Sequence, residues 1–365
     1  MIRVIAFTAV VAVHSIAFTE RPTNEVAAGV MMLLQFGREV FFALTGFVLT
    51  YSAGDRPLRL RSFWPRRLAY VVIPFAVWTV IYHAYNGGPT DGWLLTGSAE
   101  YHLYFLLVTV QLYMVFPLIL RFVRRTASWA PAMLGVVGVL NLAWLAALQY
   151  GTAPAHLGVL WVRGYELVPT YAVWILAGCY AAVHRARLED VVRRRARLLV
   201  GVGAACLAGS EVVYVRQLST FAPRDAAAVL QPATALMCVG AFLLIGVGAL
   251  RWADARPDGR PWLRTASDIS FGVYLAHPIV LDFLLRRGLG MDPVATVVGI
   301  AVPATVAAAF SYVVRFTPLS LGLTGRPRRR PAAATLTQLP GSAQGVLIKE
   351  GEHRSHEAAL APLAS

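Results

Sequence analysis

Charge is scarce in this sequence, and what there is leans one way. Only 14% of the 365 residues are charged, 19 of them acidic, and a single lysine, Lys349, stands beside 32 arginines. With 57% hydrophobic residues and a mean hydropathy of +0.59, that scarcity excludes an ordinary water-soluble globular domain. Cysteine is nearly missing too. Cys179, Cys206 and Cys238 have no CxxC spacing and no histidine beside them, so neither a disulfide framework nor a metal site is indicated. Absent as well are the GxxxxGK[ST], GxSxG and HExxH signatures, which removes support for ATPase, soluble-hydrolase and zinc-protease mechanisms. No repeat period is visible, and before the C-terminal tail the longest polar connections, 53–67 and 151–166, are too short to fold as a soluble domain.

Long apolar runs are what the chain has in abundance. Stretches of about 17 to 25 residues recur along its length, each enough at 1.5 Å rise per residue to cross a hydrocarbon layer of roughly 30 Å. The pattern predicts an all-α polytopic membrane bundle of about ten transmembrane helices, over 2–19, 29–52, 68–86, 102–121, 130–150, 167–184, 198–215, 228–250, 268–286 and 293–314. Residues 2–18 imitate a secretory signal, but the nine spans that follow and the lack of a small-residue cleavage site mark a retained helix. Residues 1–325 read as one membrane-embedded domain. After "GRPRRRP" the composition turns to Ala, Thr, Ser and Gly, and 326–365 reads as a disordered tail, basic and then polar.

The net charge of +14 follows the loops and does not mark a nucleic-acid surface. With the N-terminus cytoplasmic, 24 arginines fall on the cytoplasmic side and only 6 in the opposite loops. That bias obeys the positive-inside rule and places both termini in the cytoplasm.

Several polar groups interrupt the apolar runs. Eleven steps separate Arg3 from His14, three turns plus about 20°, so both project from one helix face roughly 16 Å apart. In "GREVFFALTGFVLT", Arg38 and Glu39 sit within apolar sequence and neutralise each other or a partner on another helix, as a buried ion pair or a substrate-orienting group. Thr45 shares a face with Arg38, and Gly46 permits close approach of another backbone or a substrate. In "SDISFGVYLAHP", Ser270, Tyr274 and His277 form one stripe at i, i+4 and i+7, fit to line a cavity or to pack helices together. His102 reads as an interfacial residue and Gln111 as mid-span. Arg66 and Arg67 stand at the cytoplasmic mouth, where guanidinium forks either set topology or bind phosphates. An imidazole at mid-membrane is costly and is a functional hypothesis by default.

Together these segments resemble the acyltransferase 3 family, integral membrane enzymes that acylate hydroxyls of carbohydrates and related metabolites. The resemblance spans about residues 3–325. It rests on the Arg-x10-His pattern at Arg3 and His14, "FFALTGFVLT", "FWPRRLAYVVIPF", "HLYFL" and "SFGVYLAHP" in family order. Thr45 stands where the family usually has Ser, and Tyr70 where a third Arg often follows Arg66 and Arg67. Relatives also carry more sequence ahead of the matching arginine.

The resemblance implies an O-acyltransferase that transfers groups other than aminoacyl, with no resident cofactor and with acyl-CoA, expected to be acetyl-CoA, as cosubstrate from the cytoplasm. It implies His14 as the catalytic imidazole, Arg3 as its motif partner, and Arg66 and Arg67 on the donor phosphates. A neutral imidazole can take a hydroxyl proton as the oxygen attacks a thioester, or can itself carry the acyl group. Glu39 and Tyr274 are candidates to orient it, Arg38 to stabilise an oxyanion, and Thr45, Ser270 and His277 to contact substrate. The expected partners are the lipid bilayer, the acyl-CoA donor and a carbohydrate or lipid-linked glycan acceptor, with no nucleic acid, and the expected location is a bacterial plasma membrane. The Arg-rich, Lys-poor composition points to a GC-rich bacterial genome and to a cell-envelope glycan, lipid-linked sugar or secreted metabolite as acceptor. Two other readings compete: a secondary transporter of an anionic or sugar-like solute, and a non-catalytic anchor for polysaccharide assembly.

Overall fold

In the computed structural model, which describes residues 1–87, 97–151, 158, 161, 163–256 and 260–329, the helices begin and end where local chemistry requires. The first, α1, runs Ile2–Thr19 and stops at Glu20, whose backbone is extended. Asn24 then caps α2 (Glu25–Leu34) by accepting from the Ala27 N–H at 3.1 Å, satisfying one orphan donor of the first turn. The predicted second span is a broken rod. Its second piece, α3 (Gly37–Ala53), starts after Gln35, whose side-chain amide donates to the Ala227 carbonyl at 2.9 Å. Gly37 presses on α1 so closely that an added Cβ would lie 2.8 Å from the Ala6 carbonyl oxygen.

The third span is longer than its apolar stretch. Helix α4 covers Leu60–Asn86 and takes in both Arg66 and Arg67, which the sequence placed in a loop; Pro65 and Pro74 lie inside it. There follow α5 (Tyr104–Arg125) and α6 (Ala130–Tyr150), then a 3-10 turn at Val168–Tyr171 that leads into α7 (Ala172–Val183). The exposed α8 (Arg185–Arg194), stapled by the Arg185–Glu189 and Arg194–Asp190 pairs, precedes α9 (Ala196–Gln217). The last long helices are α10 (Pro232–Ala255), α11 (Pro261–Arg286) and α12 (Pro293–Val314), and a short α13 (Ser320–Thr324) closes on the positive-φ Gly325.

Among the described residues there are no strands, and nine helical segments are long and apolar enough to cross a membrane. The predicted span over 167–184 corresponds to Val168–Val183, apolar but short of a full crossing at about 20 residues. It sits against α3 through glycines on both sides. A Cβ at Gly178 would overlap the Ala43 carbonyl, and one at Gly46 would stand 2.5 Å from the Ile175 carbonyl oxygen. Small residues thus bring two backbones together where lipid supplies no hydrophobic drive.

Polar contacts hold α1 against α12. Ser15 donates to the Gly299 carbonyl at 2.6 Å, the Thr19 and Thr296 hydroxyls meet at 2.8 Å, and Thr296 donates to Glu20 at 2.9 Å. On its other side α1 shares a core with α4, α5 and α11, where Val11, Trp78, Leu106 and Leu275 are buried together. These neighbours set the depth and direction of the His14 face. Residues 1–329 form one compact unit, and the tail expected over 326–365 lies outside the described residues from 330 onward.

Candidate active site

The His14 ring, half-buried on α1, meets the fully buried His277 of α11 with Nδ1 and Nε2 2.9 Å apart. The rings are parallel within 5°, and Tyr101 packs edge-on against His14 with centroids 4.7 Å apart. The other nitrogen of His277, Nδ1, lies 2.8 Å from the Tyr274 carbonyl oxygen and 3.2 Å from that of Val273. A carbonyl only accepts, so Nδ1 of His277 carries the hydrogen. In the neutral ring Nε2 is then the acceptor, His14 donates to it from Nδ1, and the lone pair of His14 lies on Nε2. One backbone carbonyl thereby fixes the tautomers of two rings in series.

Neighbouring segments hold this stretch of α11 in place. The Tyr274 hydroxyl donates to the His102 carbonyl at 2.5 Å, and the Tyr82 hydroxyl of α4 donates to the Leu275 carbonyl at 2.7 Å. His102, expected at the interface, is only 2% exposed, and its ring packs among those of Tyr82, Tyr274 and His277. The span expected to open at 102 starts as regular helix only at Tyr104; in the turn ahead of it His102 and Leu103 are buried in this cluster, and Tyr101 stays partly exposed.

A cavity of about 340 Å³ opens at the arginine-rich end of the bundle. Arg3 from α1, Arg67 from α4 and Arg326 from beyond α13 line it together with Thr45 and Ser270. The two hydroxyls present oxygens and not protons, since Thr45 donates to the Phe41 carbonyl at 2.7 Å and Ser270 to that of Ser267 at 2.8 Å. Phe105, also in the wall, packs on Tyr274 with centroids 5.6 Å apart. His14 is not in that wall. Ser270 and His277 lie two turns apart on α11, about 10 Å along its axis, with Phe105 and Tyr274 between cavity and histidines.

Arg38 and Glu39 are engaged with each other. Arg38 donates to Glu39 from Nε at 3.0 Å and from Nη2 at 2.5 Å, donates to the Tyr104 hydroxyl at 3.1 Å, and lies over the Tyr171 ring at 4.8 Å. The pair is buried, and both Arg38 donors converge on Glu39 Oε1, while Oε2 is buried without a hydrogen-bond partner among the described residues, so part of the desolvation cost of the carboxylate is not offset.

The family model described as an acyltransferase domain matches residues 1–314. The chain belongs to the acyltransferase 3 family. It is therefore a multi-pass membrane acyltransferase. No curated protein and no solved structure matches this acyltransferase.

Several residues singled out in the sequence of this acyltransferase have other neighbours in the fold than expected. Neither Glu39 nor Tyr274 bonds His14: one holds Arg38, the other the His102 carbonyl, and the side chain hydrogen-bonded to His14 is His277. His277, expected to contact substrate, is fully buried behind His14. Arg66 and Arg67 separate, because successive helical positions diverge by about 100°; Arg67 lines the cavity, and Arg66 is exposed outside its wall. The sequence places Arg326 at the start of the tail expected over 326–365. It is ordered because Gly325, at φ 61°, turns the chain back over α11, after which Arg328 and Arg329 bond the Phe316 and Arg315 carbonyls at 2.8 and 2.7 Å. The "GRPRRRP" run was the available signal, and its glycine marks the turn.

Proposed function

We propose that this acyltransferase moves an acetyl or similar acyl group from acyl-CoA to a hydroxyl of a cell-envelope glycan, a lipid-linked sugar or a secreted metabolite, in a bacterial plasma membrane. The donor enters from the cytoplasm, with Arg3, Arg67 and Arg326 on its phosphates, where guanidinium forks and a low local dielectric favour multiply charged anions. Three like charges around one cavity repel each other unless an anion is present, which is itself an argument for such a ligand. With its phosphates in that cavity, the donor's acyl end has to pass Phe105 and Tyr274 to reach His14, whose Nε2 then takes the acceptor hydroxyl proton as the oxygen attacks the thioester carbonyl. The new C–O bond replaces the C–S bond, and the CoA thiolate leaves and takes the proton back from the imidazolium. His277 holds His14 in the productive tautomer and so acts as a positioning residue.

The observation that carries this reading is the directed hydrogen bond from His14 Nδ1 to His277, which leaves Nε2 as a free base. The test is purified protein given radiolabelled acetyl-CoA. Thioester cleavage or transfer should be present in the wild type and lost in His14→Ala. Ion-gradient-driven solute uptake with no acyl turnover would instead establish transport.

A further inference from the structure

Attack on a thioester puts negative charge on its carbonyl oxygen, and inside a low-dielectric bundle that charge needs a hydrogen-bond donor close to the base. The donors around His14 are mostly spent. Its own Nδ1–H goes to His277, the Nδ1–H of His277 to the Tyr274 carbonyl, and the Tyr274 hydroxyl to the His102 carbonyl. Arg38, the candidate for this role in the sequence, donates to Glu39 and to the Tyr104 hydroxyl, and no hydrogen bond among the described residues links it to His14.

Tyr101 is different. Its ring meets that of His14 at 83° with centroids 4.7 Å apart, and its hydroxyl makes no hydrogen bond among the described residues. We infer that Tyr101 is a catalytic residue whose hydroxyl donates to the thioester carbonyl oxygen as that oxygen becomes an oxyanion, an inference that rests on the acyl-transfer reading above. The residue stands one position ahead of "HLYFL", outside the segments that carry the family resemblance.

Three observations support the role. First, the phenol is held in place without use of its hydroxyl. The rings of Phe18 and His102 flank it at 5.3 and 5.7 Å, and its backbone N–H donates to Glu100 Oε1 at 3.3 Å. Asn86, the last residue of α4, donates to Glu100 Oε2 at 3.1 Å and to the Ala99 carbonyl at 3.2 Å, which ties the turn to the helix end. A donor fixed beforehand costs no reorganisation when the charge appears. Second, the side chain is reachable. Tyr101 is 39% exposed, on the side where His14 is itself partly exposed. Third, the hydroxyl keeps its proton. Tyr101 lies ahead of the membrane-spanning part of α5, and desolvation together with the Glu100 and Asp282 carboxylates pushes its pKa well above the ordinary tyrosine value.

The electrons then balance simply. As the acceptor oxygen adds to the carbonyl carbon, the C=O pair moves onto oxygen, where Tyr101 stabilises it. Return of that pair breaks the C–S bond, and the thiolate leaves with the proton held by His14. Tyr101 transfers no proton in either step.

The test is kcat and KM for acetyl-CoA cleavage by the purified full chain in nanodiscs, with water as acceptor. Tyr101→Phe deletes only the hydroxyl and should lower kcat by about 10²-fold, with the acetyl-CoA KM changed by less than about threefold. Tyr101→Leu, which also takes the ring from His14, should be no faster than Tyr101→Phe. A second donor separates hydrogen bonding from packing: the dithioester analogue of acetyl-CoA, whose C=S accepts hydrogen bonds weakly. On it the gap in kcat between wild type and Tyr101→Phe should shrink to about fivefold or less. A packing role alone would leave the gap equally wide on both donors. Wild-type kcat in Tyr101→Phe, or an equal gap on the two donors, overturns the inference while His14-dependent cleavage stands. Cleavage absent from the wild type, or retained in His14→Ala, instead overturns the acyl-transfer reading and this inference with it.

Discussion

At the scale of single residues, the paired imidazoles differ from a carboxylate–imidazole pair in one respect that decides their behaviour. The chain of hydrogen bonds ends on the Tyr274 carbonyl, a neutral group, so no resting charge has to be desolvated inside the bundle. His277 contributes direction more than charge. Replacing it by Leu should lower kcat by about 10²-fold or more, with the donor KM little changed, because the lost interaction orients the base and does not bind substrate. His277→Gln, which can place a carbonyl oxygen near His14 Nδ1, should recover a substantial part of that loss. Steady-state kinetics on purified variants decide it, and a change confined to the donor KM would remove His277 from the positioning role. The pairing could not be read from the sequence. Helical spacing put His14 on one face and His277 on another, but the two are 263 positions apart, and no periodicity says which distant faces meet. Glu39 and Tyr274 were equally eligible partners until helix packing turned them toward Arg38 and His102.

At the scale of elements, the seam between α3 and α7 shows what hydropathy reads well and what it does not see. The apolar run over 167–184 stands out as clearly as any other, so the existence of the helix was legible. Its shortness was not: Pro169 lies in the opening 3-10 turn, and the regular helix starts only at Ala172. The break between α2 and α3, at Gln35 and Phe36 ahead of Gly37, was hidden because apolar residues on both sides carry the hydropathy across it, while the bond from Gln35 to Ala227 belongs to tertiary structure. Gly46 was legible as a close-approach position, whereas its counterpart Gly178 lies in a run that composition alone does not distinguish. Gly178→Ala should destabilise the protein by about 1–3 kcal/mol, since its Cβ meets a backbone carbonyl that cannot move aside without shifting α3. Gly138→Ala in α6, where an added Cβ meets nothing within 4 Å, should instead be neutral or stabilising by up to about 1 kcal/mol. Thermal melts of the two variants in one detergent test the contrast, and equal melting points would show that the α3–α7 seam is loose.

At the scale of the whole molecule, the two ends of the described chain meet at one cavity, which is why a pattern read segment by segment found only part of it. Arg3 and Arg67 come from helices within the matched family region, while Arg326 comes from beyond its last matched residue, Val314. An arginine that touches a phosphate contributes a charge-assisted hydrogen bond, and removing one should raise the donor KM by roughly tenfold or more. Arg67→Ala and Arg326→Ala should both do so, and Arg66→Ala, exposed outside the cavity wall, should not, although the sequence treats Arg66 and Arg67 as twins. Raising ionic strength should weaken donor binding in the wild type and weaken it less in the two cavity variants, because part of the screened attraction is already gone. A flat donor KM across all three substitutions, with kcat intact, would mean that the donor approaches elsewhere and that the arginine-rich cavity serves topology alone.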